Sequence, residues 1–237
     1  LDRSSAASDV YKRQVAAFVD SFKSMGLTVT PSETRSHMGL TKIEEIRALF
    51  SIDHVQDEFR RNFGRDFGEA DVQECYKRFQ KILFDTLEDY SLPIPGVVDV
   101  VNRLRADGIK VGSTTGYTKT MMDVVIPAAA SHGYVIDNCV TSDNLPGGRP
   151  RPFMIYQNMI DLNIGSRFSV LKYGDTIADI KEGVNAGVWT VGVVLGSNEL
   201  ALTEKEVKEL PDLQLKARMA QVRNRICLLY TSPSPRD

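Results

Sequence analysis

Net charge is the first thing this 237-residue chain lacks: 29 lysines and arginines stand against 31 aspartates and glutamates, for a formal charge of −2. Without a basic excess there is no electrostatic footprint for nucleic acid or for an anionic membrane surface as the main partner. Long apolar runs are missing too, and nothing approaches the ~20 residues of a membrane-spanning helix. Cysteine is scarce, with three in all. Cys75 and Cys139 are far apart and form no ligand cluster, a usage that fits a reducing, cytoplasmic compartment. No internal repeat and no secretory leader is visible. What remains, 42% hydrophobic and 25% charged residues, is an ordinary globular composition, enough for one large domain or two small ones.

The two ends look foreign to the rest. Asp9–Gln14 and Cys227–Ser232 can be encoded by DNA strings that are reverse complements of each other, offset by one base. They resemble a transposase sequencing adaptor read through from both sides. Residues 1–14 and 227–237 are therefore expected to be adaptor-derived and are set aside from fold reasoning. The natural segment is expected at about 15–226, cut at both ends.

From Val15 to about residue 92 the pattern is helical. Val15, Phe18, Val19, Phe22 and Met25 recur at helix spacing before Gly26, and Val72, Cys75, Tyr76, Phe79, Ile82 and Leu83 form a second such run. Stripes of this kind read as helix-bundle core. The pattern changes at Pro93–Gly96. Strands are expected at Ile109–Gly112, Val135–Val140, Phe168–Tyr173 and Trp189–Leu195. Helices are expected at Val97–Leu104, Thr118–Ala129, Pro152–Leu162 and Thr176–Ala186. Such alternation predicts right-handed βαβ units and a Rossmann-like parallel sheet. The fold class is thus α/β: a helical cap domain at 15–92 inserted into a core at 93–226. The core's first strand would lie upstream of Val15.

Four segments could carry chemistry. An apolar run ends at Gly174-Asp175, and Asp179 follows one helical turn later. Carboxylates at the carboxyl edge of a parallel sheet sit where α/β folds bind ligands, and two acids there suit a hard cation such as Mg²⁺. A plain N-cap at Asp175 and a solvated Asp179 would leave the same pattern. Gly112–Tyr117 follows a strand with small hydroxyl residues, offering N–H groups and a hydroxyl to a phosphate-type oxygen, or else an ordinary capping turn. Gly147–Pro152 places Arg149 and Arg151 in a Pro-flanked loop ahead of a helix, where either could hold an anion; physics alone does not separate them. Thr41 and Glu44 form a capping box that puts Lys42 in the first turn of a helix. A lysine there can attack a carbonyl and form a Schiff base, although by pattern alone Lys42 reads as a surface residue.

Taken together, Met38–Ile43, Gly112–Thr118, Gly148–Pro152, Gly174–Asp179 with Lys181-Glu182-Gly183, and Asn185–Ser197 resemble the haloacid dehalogenase superfamily. More narrowly, they resemble its phosphonoacetaldehyde hydrolase (phosphonatase) family, in that family's order. The resemblance implies a hydrolase that cleaves the C–P bond of a small phosphonate through an imine on Lys42 and an aspartyl-phosphate. It implies Asp175 as a Mg²⁺ ligand, Asp179 as a support of the site, and Thr115, or its neighbour Thr114, as a phosphoryl-binding residue. Arg149 would stand at the superfamily's usual lysine position, and Met38, Gly116 and Tyr117 would line the substrate pocket. A homodimer through the cap is also implied. The family's nucleophilic aspartate has no match here, so the chain as written is expected to be inactive. Glu45 stands where the family pattern has histidine. Competing readings are another phosphatase or phosphomutase of the superfamily, an inactive Mg²⁺- or phosphate-binding fragment, and a receiver-like module with Asp175 as phosphoacceptor, which would need no helical domain ahead of its core.

Overall fold

The computed structural model describes residues 15–84, 87 and 91–230. Residues 1–14 and 231–237, and with them most of the expected adaptor-derived ends, lie outside the described residues, as does the core strand expected ahead of Val15. Helix α1 occupies 15–23. It is followed by α2 (Pro31–Ser36), α3 (Lys42–Phe50), α4 (Asp53–Phe63) and α5 (Glu69–Phe84). The second half alternates: α6 (Val97–Ala106), β1 (Gly112–Thr114), α7 (Lys119–Ser131), β2 (Asn138–Val140), α8 (Phe153–Asp161), β3 (Leu171–Gly174), α9 (Ile177–Ala186) and β4 (Trp189–Gly192). Helices α10 (Glu204–Glu209) and α11 (Asp212–Tyr230) close the described chain.

The helical half holds the main core. Phe18, Phe22, Phe50, Phe59 and Phe79 are fully buried. Phe18 and Phe22, like Cys75, Phe79 and Leu83, stand four residues apart and so share one helix face. Phe18 stacks on Phe79 with ring centroids 4.2 Å apart, and Phe22 packs against Phe50 at 4.8 Å. Burying a side chain of this size contributes roughly 1.5–3 kcal/mol. Met121, on α7, joins the same cluster, which ties the helical half to the α/β half.

Parallel pairing appears as the alternation predicts, in two separate pairs. β1 pairs with β2 in register Gly112↔Asn138 to Thr114↔Val140, and β3 with β4 in register Leu171↔Trp189 to Gly174↔Gly192. Among the described residues no hydrogen-bonded ladder joins one pair to the other.

β1 starts only at Gly112, the last residue of its expected run, and takes in Ser113 and Thr114, which the pattern placed after the strand; the other strands are shorter than the apolar runs that announced them, for local reasons. Before β2, the Asp137 carboxylate accepts from the Val111 N–H at 2.8 Å, so Asp137 closes the strand entry with its side chain. Ser166 caps a 3-10 turn at Arg167–Ser169, and this delays β3 to Leu171. Alternate residues of β3 and β4 differ in exposure. Leu171, Tyr173, Trp189 and Val191 are exposed, whereas Lys172, Gly174 and Thr190 are covered on the side of α9.

Candidate active site

Three capped turns bring the chemistry-bearing residues together. The expected box at Thr41 forms: the Glu44 N–H donates to the Thr41 hydroxyl while the Glu44 carboxylate accepts from the Thr41 N–H. Thr176 caps α9 by accepting from the Asp179 N–H at 3.1 Å, so the cap is Thr176 and not Asp175. Thr118 caps α7. Close approach of the two halves relies on glycine. A Cβ at Gly39, whose φ is +99°, would stand 2.5 Å from Thr176 Oγ1, and one at Gly148 would stand 2.5 Å from Thr41 Cγ2. Gly116 likewise lies against the Leu40 carbonyl. The turn that starts α3 is thereby pressed onto the loops following β1 and β3.

Lys42 is buried, at 5% exposure, which corrects the surface reading. Its ammonium donates to both oxygens of Glu45, at 3.1 and 3.0 Å. It lies over the rings of Phe18 and Tyr117 at 5.4 and 5.8 Å from their centroids, within cation–π range. Glu45 is also buried and accepts from the Gly39 N–H at 2.9 Å. Burial pushes the Glu45 carboxyl above its ordinary range, and the opposing pull of Lys42 does not cancel that. Met38 is buried nearby in sequence, ahead of Gly39. A cavity of about 240 Å³ opens beside Lys42, bounded by Thr41, Tyr76, Gly116, Tyr117 and Gly148.

A second cluster lies at the ends of β1 and β3. Arg149 reaches Asp179 at 3.1 Å and Glu182 at 3.3 Å, and it also donates to Thr114 Oγ1 at 3.2 Å. Arg151 is exposed, with only a 4.0 Å approach to Glu44. The structure therefore separates two arginines that the residue pattern alone left equivalent, in favour of the one that the resemblance implies. Thr114 contributes its hydroxyl to this charged cluster, donating to Glu182 at 3.0 Å. Thr115 instead turns its hydroxyl to the Tyr117 N–H at 3.1 Å. Asp179 is buried rather than solvated. Burial alone would raise its carboxyl, but Arg149 and Lys172 outweigh that and hold it below the usual carboxylate range.

Asp175 accepts from the Asn198 N–H at 3.0 Å. Asp179 is instead ion-paired with Arg149 and Lys172. Among the described residues no three His, Cys, Asp or Glu side chains converge as a metal cage.

Two residues of the cluster have no place in the pattern reading as chemical groups. Lys172 lies in the apolar run of β3, and Glu182 lies within the Lys181-Glu182-Gly183 motif. Their signals were available. Lys172 is the one charged residue between Val170 and Gly174, and Glu182 falls three residues after Asp179, on the same helix face.

Residues 9–193 match the model of the haloacid dehalogenase-like hydrolase family. The chain is 50% identical over 212 residues to a phosphonoacetaldehyde hydrolase of Bacteroides fragilis, covering 90% of this chain and 81% of that protein. It is 51% identical over 208 residues to one of Bacillus cytotoxicus, covering 88% and 79%. A solved structure, of a phosphonoacetaldehyde hydrolase like protein from Oleispira antarctica, superposes with a TM-score of 0.87 at 32% identity. It covers 92% of this chain and 79% of that one.

Proposed function

The chain belongs to the phosphonoacetaldehyde hydrolase family of the haloacid dehalogenase-like hydrolases, and from that premise we propose that Lys42 forms an imine with phosphonoacetaldehyde, the first step of the parent protein's route to acetaldehyde and phosphate. The observation that carries the reading is the burial of Lys42 between two aromatic rings with one carboxylate as its hydrogen-bond partner.

An amine must lose a proton before it attacks a carbonyl, and Glu45 is the group to which Lys42 donates among the described residues. The Lys42 ammonium gives its proton to Glu45, whose burial eases the transfer. The freed amine adds to the aldehyde carbon, and the resulting carbinolamine carries the former carbonyl oxygen as a hydroxyl. Glu45 returns its proton to that hydroxyl, water leaves, and a protonated imine remains on Lys42. The imine then takes up the electron pair of the breaking C–P bond as an enamine, which removes the poor carbon leaving group from the reaction. Protonation and hydrolysis of the enamine release acetaldehyde and restore Lys42.

The phosphoryl group is proposed to pass to an aspartate and then to water. That aspartate has no match in this sequence, so this step is proposed for the parent protein. Arg149 and the loop Thr114–Tyr117 are proposed to hold the phosphoryl oxygens. Asp175 would hold Mg²⁺, an ion that takes one or two carboxylates and keeps its remaining sites for water and phosphate; when bound it would neutralise phosphoryl charge.

The test uses the first half-reaction alone. Incubation with acetaldehyde and borohydride should add one ethyl group to Lys42, located by peptide mass mapping, and Lys42→Arg should stay unlabelled. Absence of label on the unsubstituted chain would refute the imine and leave a phosphatase or phosphomutase of the same superfamily as the better reading.

A further inference from the structure

Two buried cations in the charged cluster hold the same three oxygen atoms. Lys172 Nζ lies 2.9 Å from Asp179 Oδ1, 2.9 Å from Glu182 Oε2 and 2.8 Å from Thr114 Oγ1. Arg149 reaches Asp179 Oδ1 at 3.1 Å, Glu182 Oε2 at 3.3 Å and Thr114 Oγ1 at 3.2 Å. The side chains of Lys172 and Arg149 are 10% and 11% exposed, and those of Asp179 and Glu182 are 6% and 0%. Two positive charges thus face two negative ones, out of water.

The two cations are held differently. Lys172 is carried by β3, which is paired to β4 along its whole length. Arg149 comes from the loop between β2 and α8 and is preceded by two glycines. Its Nε is the atom that meets Glu182 Oε2, at 3.3 Å and outside hydrogen-bond geometry, and Glu182 Oε1 has no hydrogen-bond partner. Arg149 also donates to the Thr114 carbonyl, but on the three shared oxygens each of its contacts is longer than that of Lys172, and it comes from a loop rather than a paired strand.

Removing one partner from a buried ion pair is strongly destabilising, because a charge is left uncompensated. If Arg149 alone held Asp179 and Glu182, turning toward a substrate anion would leave both carboxylates stranded. With Lys172 on the same oxygens, Arg149 can turn away and the carboxylates remain paired.

We propose that Lys172 is a positioning residue: it keeps Asp179, Glu182 and the Thr114 hydroxyl in place so that the Arg149 guanidinium is released to a phosphate or phosphonate dianion. The inference rests on Arg149 as the anion-binding arginine of the proposed function. Glu182 sets how firmly Arg149 is retained, so the charges must be counted across all four side chains together.

The test is inorganic phosphate binding by titration calorimetry on the full chain, at fixed pH, salt and Mg²⁺. Lys172→Met should weaken phosphate about tenfold or more, since Arg149 becomes the sole partner of two buried carboxylates. Lys172→Arg, which keeps a cation on the strand, should bind close to the unsubstituted chain. The double variant Lys172→Met/Glu182→Gln removes one charge of each sign and should recover binding to within about threefold, a non-additivity that independent sites do not show. A purely structural role for Lys172 predicts no such recovery. Phosphate binding by Lys172→Met at the unsubstituted affinity, with Arg149→Met failing to bind, would overturn the inference and leave Arg149's role standing. Binding by Arg149→Met at the unsubstituted affinity, or none by the unsubstituted chain, would overturn Arg149's role and the inference with it.

Discussion

Single side chains decide the chemistry here, and the decisive contrast is between two lysines. Lys42 sits against aromatic rings with one carboxylate, whereas Lys172 sits among hydroxyl and carboxylate oxygens. The first arrangement suits a nucleophile that sheds its proton to a neighbour, the second a fixed charge. A variant at Glu45 separates the two. Glu45→Gln keeps the size of the side chain and its amide oxygen can still accept from Gly39, but it cannot take a proton. Borohydride labelling of Lys42 should slow by about 10²-fold, the lower end of a general-base contribution, and its optimum should move to higher pH, where solvent can deprotonate the amine. Labelling at an unchanged rate and pH optimum would show that Glu45 only packs. This scale was the least legible in the sequence. Periodicity places Lys42 at a helix start, but nothing in spacing tells a buried first turn from a solvated one; the glycines at 39, 116 and 148 bury it by letting distant loops close over it. Lys172 was hidden by its own strand, where one lysine among Val170, Leu171 and Tyr173 reads as tolerated rather than placed.

At the scale of elements, a cap is a local event, and the box read at Thr41 with Glu44 forms. Thr30 with Glu33 and Thr203 with Glu206 form full boxes too, in short helices that the periodicity did not single out. Glu33 is the sharpest case: the Thr30 N–H donates to it at 2.8 Å, and this bond, with further help from the Thr30 hydroxyl and His54, lowers its carboxyl to about 2. A folded pKa below the ordinary 4.5 means that the stabilisation is fully present above 4.5 and is lost as pH falls toward 2. Glu33→Gln should cost about 1 kcal/mol at neutral pH, as loss of a cap does, and should flatten the stability curve between pH 4.5 and 2 in denaturant titrations. An acid arm of unchanged slope would show that the carboxylate contributes nothing. Gly39 and Gly64 allow a matched comparison. Both have positive φ, but a Cβ at Gly64 meets nothing within 4 Å while one at Gly39 runs into Thr176. Gly64→Ala should cost about 1–2 kcal/mol from backbone strain alone and leave labelling of Lys42 unchanged. Gly39→Ala should cost more and slow labelling, since it pushes the α3 turn off the core. Equal labelling rates in the two variants would contradict the role given to that close approach.

Across the whole molecule, the class of fold was readable and the way the sheet is divided was not. Alternating segments require parallel strands, and β1–β2 and β3–β4 are parallel. Whether two pairs merge depends on contacts between segments some sixty residues apart, which no local pattern encodes. What joins the halves is side-chain packing: α7 sends Met121 into the aromatic core of the helical half, and the same core supplies Phe18 as one wall of the Lys42 site. Stability and chemistry therefore share a residue, and the stacked pair Phe18 and Phe79 can apportion them. Phe18→Ala and Phe79→Ala each remove one ring of a fully buried contact, so each should lower the unfolding free energy by about 3–5 kcal/mol. The double variant should fall short of the sum by about 0.5–1.5 kcal/mol, the coupling expected of an aromatic pair. Only Phe18 borders Lys42 among these two. Measured well below the unfolding transition, Phe18→Ala should therefore alter the rate of Lys42 labelling while Phe79→Ala should not. Equal effects on labelling would mean that the aromatic core acts on Lys42 through overall stability alone, and that the ring beside the amine has no part of its own.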